Sequence, residues 1–304
     1  MAVRALIAFL FVTAASAAER RLILHADDLG FSHAANRASI EMLEKGYVSS
    51  ASIMMPCPWV PEIAAWARTH PEKDLGLHFT LTSEWKTMRW GPVASRDKVP
   101  GLLDPDGYMW MGVADVASRA TPQEIELELR AQIEKAKTMG IRFTHFDTHM
   151  GTLYARPDYF AVFEKLGREY GVPILRIKPS EDSRRNAPKA TVDYILSLET
   201  KYQQEGTFRL DSLLADPTGG EKDYQRRREL YQKGLRAMPP GTHMLILHPA
   251  IIEEELKAST NTAIQRDGDY RTFSDPATVQ LIKDLGIQLV GWKDVAPMAG
   301  AKTK

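Results

Sequence analysis

Leu22-Ile23-Leu24-His25-Ala26-Asp27-Asp28-Leu29-Gly30 joins an apolar run with the pattern of a strand to two adjacent carboxylates and a glycine. Successive strand residues point to opposite faces, so two neighbouring aspartates at a strand's C-terminal end, where the chain begins to turn, can take different tasks. One can bind a metal while the other takes a proton. Gly76-Leu77-His78 and His145-Phe146-Asp147-Thr148-His149 follow other strand-like runs. Alone, an Asp-Asp pair reads as a solvated turn or a helix cap, and a lone histidine as a core or loop imidazole. Their recurrence at the ends of apolar, β-branched segments, where α/β folds collect catalytic residues, points instead to a hydrolytic metal site.

Working outward, apolar runs alternate with helical patterns along the chain, which predicts βα units around a mostly parallel sheet. Strands are predicted at 21–26, 48–54, 75–81, 142–147, 173–177, 207–210, 242–247 and 287–290. Thr121-Pro-Gln-Glu124 is a capping box with proline at the first helical position, and its helix runs to about Met139. Another helix covers roughly 224–238. This rhythm predicts a single-domain α/β fold, an irregular TIM-like barrel. The exception is 83–120, which holds Trp85, Trp90, Tyr108 and Trp110 without clear periodicity. It follows the Gly76-Leu77-His78 strand, so it is predicted to wall the pocket and offer aromatic faces to a ligand, although tryptophans that only pin the loop are an equal reading.

The N-terminus has Arg4, an apolar run from Ala5 to Thr13 and Ala14-Ala-Ser-Ala17. A charged start, a short hydrophobic core and a small-x-small site predict a signal peptide over 1–17, with the mature chain, 18–304, exported to a periplasm or secreted. The run is shorter than the about 20 residues a membrane span needs, and no integral membrane segment is expected in the mature protein. Lys and Arg number 39, as do Asp and Glu, so no electrostatic footprint for nucleic acid or an anionic membrane appears. Cys57, the single cysteine, lies between Pro56 and Pro58 and excludes an intrachain disulfide. No feature fixes an oligomeric state, and a homodimer stays open.

A carboxylate and two neutral imidazoles leave open positions on a divalent metal for a water and a substrate carbonyl. A second carboxylate beside it can accept the proton as attack occurs, and an acid must protonate the departing amine. His248, in Leu245-Ile-Leu-His248-Pro249 at the end of a late strand, suits the acid; a structural histidine before a proline turn is the other reading.

These motifs, with Gly46-Tyr-Val-Ser-Ser50, Leu175-Arg-Ile177 and the region around Arg271, resemble in order the YdjC/ChbG-like carbohydrate deacetylase family over nearly all of the mature chain. The resemblance implies an irregular (β/α) barrel that removes acetyl groups from N-acetylated sugars or oligosaccharides with one divalent metal ion. Carried over, it makes Asp28, His78 and His149 the metal ligands, Asp27 the catalytic base and His248 the acid or a transition-state partner. Strand alternation puts His145 and Asp147 on the face of His149, as groups that orient it. Arg176 resembles a pocket arginine that contacts substrate or fixes the base, with a structural salt bridge as the alternative. Histidine ligands favour Zn2+ on affinity grounds, whereas family usage includes Mg2+. His25 stands where Asn is commoner, Leu29 where Phe is commoner, and export differs from the cytoplasmic members.

Two rivals remain at this level. His145-x-Asp147 with a distant histidine matches the two-histidine, one-carboxylate triad of a non-haem iron oxygenase, although such enzymes are commonly all-β. An exported, non-catalytic sugar-binding protein would use the tryptophans but would not need Asp27 beside Asp28.

Overall fold

The computed structural model describes residues 19–180 and 187–296; the predicted signal peptide, 1–17, lies outside the described residues. Seven strands form one parallel sheet: β1 Arg20–Leu29, β2 Ser50–Ile53, β3 Leu75–Phe79, β4 Phe146–Thr148, β5 Ser212–Leu214, β6 Gly241–Leu247 and β7 Ile287–Leu289. The order is β4-β3-β2-β1-β6-β5, with β7 on β1. The sheet curls, and single bridges carry the ring across the remaining gap. Phe146 pairs with Ile174 and Ile177 with Leu210, so the stretch 173–178 stands between β4 and the approach to β5. This is an irregular TIM-like barrel in a single α/β domain.

Strand alternation sorts β1 into two faces. Leu22, Leu24 and Ala26 belong to the large core between sheet and helices, whereas Ile23 joins Met244, Leu175, Leu210 and Trp292 in a smaller cluster. Those partners come from strands around the ring, so this cluster plugs the barrel interior at the strands' N-terminal ends. On the same inward face, His25 and Asp27 follow Ile23. Every residue of β1 from Leu22 to Leu29 is buried, as a strand covered on both sides requires.

Four strand predictions change. The 173–177 run forms no regular strand and makes only isolated bridges at Ile174 and Ile177. The run at 207–210 makes only one bridge and leads into β5, which was not predicted. The 287–290 run gives β7, which is no stave of the ring. It pairs with Arg20–Leu22 while β2 takes His25–Leu29, two short strands sharing one edge of a ten-residue strand. The 142–147 run starts its regular strand only at Phe146. The capping box forms as read: Thr121 accepts from Glu124 N–H at the start of the helix Pro122–Thr138.

The segment 83–120 has more structure than its composition predicts, with short 3-10 turns at Arg96–Lys98 and Pro100–Leu102 and a helix at Val113–Arg119. Glu128 holds it from the helix Pro122–Thr138 by accepting from the Val93 and Ala94 N–H groups, and Glu124 accepts from Gly101. Trp85 and Trp90 turn inward, whereas Tyr108 stays exposed. Trp85 is 8 % and Trp90 4 % exposed, and their rings meet at 5.2 Å.

Gly76 in β3 has a specific reason to be glycine. A Cβ there would lie 2.3 Å from Nε2 of His145, inside van der Waals contact. Gly76→Ala should therefore destabilise the fold by about 1–3 kcal/mol through overpacking of a buried site. Urea unfolding of the two proteins measures it, and equal midpoints would show that the imidazole moves aside freely.

Candidate active site

Asp28 should point away from the barrel interior if β1 stayed regular. It does not, because the register of β1 against β2 shifts between Ala26 and Leu29 and Asp28 adopts φ 68°, in the left-handed region. A bulge re-aims a side chain, and aspartate tolerates this conformation better than most residues. Both neighbouring carboxylates thus reach the same end of the barrel from consecutive positions.

Asp28, His78 and His149 bring three ligand atoms together. Oδ1 of Asp28 lies 3.5 Å from Nε2 of His78 and 3.3 Å from Nδ1 of His149, and the two nitrogens are 3.2 Å apart. Tetrahedral ligands about 2.0–2.1 Å from an ion would be separated by roughly 3.3–3.4 Å, so the triangle has the size of a cation site. Asp28 Oδ1 is buried without a hydrogen-bond partner, and such an orphaned oxygen needs a positive neighbour. The far side of each ligand is anchored. Nδ1 of His78 meets Asp147 Oδ1 at 2.8 Å, Nε2 of His149 meets Glu84 Oε2 at 3.0 Å, and Arg266 donates to Asp28 Oδ2 at 2.7 Å. Carboxylates behind imidazoles set the tautomer that aims the near nitrogen's lone pair at the shared point.

Charge on these groups follows from their partners. Burial pushes the Asp28 carboxyl up, but Arg266 and His149 outweigh it and hold it well below the usual carboxylate range. Burial pulls the His149 imidazole down, yet Glu84 and Asp28 push it up to about 10. His78 is likewise raised against its burial by Asp27 and Asp147. Without a cation the cluster therefore retains protons.

Asp27 stays on the inward face and borders the main cavity. Its Oδ1 lies 3.0 Å from Nε2 of His25 and accepts from Ser52 at 3.2 Å. Its Oδ2 lies 3.8 Å from Nε2 of His78 and 4.0 Å from Nε2 of His248. His248 is half exposed at the end of β6, and its backbone N–H donates to Asp269. His25 is fully buried between Asp27 and Asp147, 3.1 Å from Oδ2 of the latter. Burial lowers its pKa, but these two carboxylates push it up to about 9, so an imidazolium bridges them.

Several expected roles change. Asp147 holds His78 rather than His149, because Asp147 pairs with His78 in the β3–β4 register. His145 orients neither; it lies deeper, 3.3 Å from Asp74, and stacks on Trp292 with ring centroids 4.9 Å apart. That seal also weighs against the iron triad. His25, His145 and Asp147 come within ligand distance of one another, but all three are buried and Trp292 covers His145. Arg176 borders the cavity, but its ion pair is with Glu164 at 2.5 Å and not with Asp27.

Trp85, Trp90 and Trp110 do not border the cavity. The indole N–H groups of Trp90 and Trp110 are used on Thr82 and Gly101 carbonyls, and Trp85 packs on Phe31 and under Arg266. Amphipathic rings pin the segment to the barrel instead of facing solvent. The segment touches the cluster through Glu84 and borders the cavity with Val113, and Glu84 and Arg266 are the residues that sequence reasoning missed. Glu84 stands five residues past the end of β3, which gave a positional hint; Arg266 gave none.

The family model described as YdjC-like protein matches residues 21–284. A carbohydrate deacetylase from Thermus thermophilus is 30% identical over 268 residues, covering 87% of this chain and 90% of its own length. A carbohydrate deacetylase from Geobacillus stearothermophilus is 29% identical over 276 residues, 90% of this chain and 98% of its own. The crystal structure of an Enterococcus faecalis V583 protein assigned to cellobiose-phosphate cleavage superposes with TM-score 0.75 at 24% identity, over 91% of this chain and 99% of that one, and so shares the fold.

The electrostatics give two measurable outcomes. Zinc uptake, followed by calorimetry in buffers of different ionisation enthalpy, should release protons and weaken as pH falls, because protons on His149 and His78 compete with the ion. Glu84→Gln should weaken zinc binding about 10–100-fold, the usual scale for losing a carboxylate behind a ligating imidazole. An unchanged Kd in that variant would remove Glu84 from the site.

Proposed function

Because the chain belongs to the YdjC-like family, we propose that it is a metal-dependent deacetylase of N-acetylated sugars or oligosaccharides. The observation that carries this reading is the division of labour between adjacent carboxylates: Asp28 turned into the His78–His149 cluster, and Asp27 left on the cavity wall facing His248.

A divalent cation held by Asp28, His78 and His149 would polarise the acetamide carbonyl and acidify a water molecule. Asp27, on the cavity wall, would accept the proton of the attacking water as the water oxygen bonds to the carbonyl carbon. His25 and Ser52 hold Asp27 Oδ1, which leaves Oδ2 turned toward His78 and His248. His248 gives a proton to the amide nitrogen as the carbon–nitrogen bond breaks, so acetate and a free amino sugar result. Asp269 accepts from the His248 backbone N–H and is itself held by Arg227 and Tyr231, which fixes the strand end carrying the acid. Two imidazoles and one carboxylate form a donor set that suits zinc better than magnesium.

Acetate release from a panel of N-acetylated sugars, compared for metal-free, zinc-loaded and magnesium-loaded protein under anaerobic conditions, tests the reading. Asp27→Asn should keep its metal and lose roughly 100-fold or more in kcat, the scale of general-base loss. Asp28→Asn should lose metal instead. Equal metal loss in both variants would overturn the assignment of separate tasks.

A further inference from the structure

We propose that the cavity beyond Asp27 and His248 receives an apolar chain covalently carried by the amino sugar, either as its aglycone or as its N-acyl group. This rests on the deacetylase reading and adds the chemical class of the substrate. The cavity measures about 790 Å³, within the roughly 300–1,000 Å³ of small-molecule sites, and it is continuous with the reacting groups because Asp27 and His248 are part of its wall.

Away from those two residues the wall is built largely of Met150, Leu175, Ile177, Val192, Ile195 and Leu213. Most polar side chains among the described wall residues already have a protein partner. The Tyr154 hydroxyl donates to the Leu175 carbonyl at 2.5 Å, Arg176 and Tyr202 both serve Glu164, Arg209 pairs with Glu199, and Tyr231 donates to Asp269. Ser212 lies 2.8 Å from the His243 ring, and Asp216 accepts from Thr218. A further sugar ring buried here would meet aliphatic surface with few unspent partners for its hydroxyl groups, whereas an alkyl chain needs none.

The rim points the same way. Met150 is 48 % and Leu213 37 % exposed, two of the large apolar side chains that the described residues leave in solvent. Both border this cavity. Met150 is set there by the turn that follows His149, where Met150 and Gly151 have φ 52° and 65°. Thus the turn that completes the metal cluster also presents a pliable apolar side chain at the cavity edge.

The test uses the zinc-loaded full chain and three probes below their micellar concentrations: the methyl and octyl β-glycosides of N-acetylglucosamine, and N-octanoylglucosamine. Affinity is read by calorimetry on Asp27→Asn, and turnover on the unaltered protein. At least one octyl-bearing probe should bind about tenfold or more tightly than the methyl glycoside, since each buried methylene contributes roughly fourfold. Preference for the octyl glycoside assigns the chain to the aglycone, and preference for N-octanoylglucosamine assigns it to the acyl group. Leu213→Gln and Val192→Gln should each reduce the octyl-to-methyl ratio by about threefold or more, because an amide replaces apolar surface that the bound chain would cover. Leu127→Gln, on an exposed face of the helix Pro122–Thr138 and outside the cavity wall, should leave that ratio intact. Equal affinity for methyl and octyl probes, or a chitotriose that binds more tightly than both octyl probes, overturns the proposal. A persistent, Leu213-dependent octyl preference without acetate or octanoate release would sink the deacetylase reading and leave the cavity assignment standing.

Discussion

Charge inside a barrel is tolerated only where it is paired, and that constraint organises this protein from the strand ends inward. Asp74, His145, His25, Asp27, Asp147, His78, Asp28 and His149 are all buried. Removing such groups from water costs several kcal/mol per ion unless each meets a partner. Here they form a continuous series. Asp74 reaches Ser50, Ser50 reaches His25, and His25 lies between Asp27 and Asp147, of which Asp147 holds His78. The series ends at Asp28 Oδ1, a buried oxygen without a hydrogen-bond partner, where the ligand atoms converge. A cation at that point would complete the pairing.

The apolar parts of the structure position this series. Trp292 closes the interior below His145, and the absence of a side chain at Gly76 makes room for the imidazole. On the other side, Arg266 lies over the packed rings of Phe31 and Trp85, 4.9 and 5.4 Å from their ring centres, while its guanidinium holds Asp28. The segment 83–120 thereby contributes structural mass through its tryptophans and chemistry through Glu84. Its tryptophans are spent in rigidifying the approach to the site, and the apolar cavity beside Asp27 is walled chiefly by other segments.

Much of this was legible in the sequence. The alternation of apolar and helical periods carries the parallel sheet, because each period records which face of an element is buried. The two aspartates, the Gly-x-His strand and the His-x-Asp-x-His run were readable as ligand-bearing strand ends for the same reason. Residue spacing could not say that Asp28 lies in a left-handed bulge, since only pairing with β2 imposes that shift. Nor could it say which imidazole Asp147 serves, because β3 and β4 are almost seventy residues apart in sequence and meet only through their register.

Sequence by itself determined the local terms: strand and helix periods, the capping box at Thr121, the glycine beside the imidazole and the supply of carboxylates and histidines. Tertiary structure decided everything that depends on closure of the barrel. Arg266 reaches the cluster from a segment far from the ligand motifs, and Glu84, shortly after His78 in sequence, is aimed at His149 only by the fold, so no periodicity announces either contact. Trp90 and Trp110 are held in place because their indole N–H groups find the Thr82 and Gly101 carbonyls, and Trp85 packs on Phe31, a choice composition leaves open. The size and apolar lining of the cavity likewise exist only once the stretch 173–178 has crossed between β4 and β5, because the wall is assembled from several strands, helices and loops that are far apart in sequence.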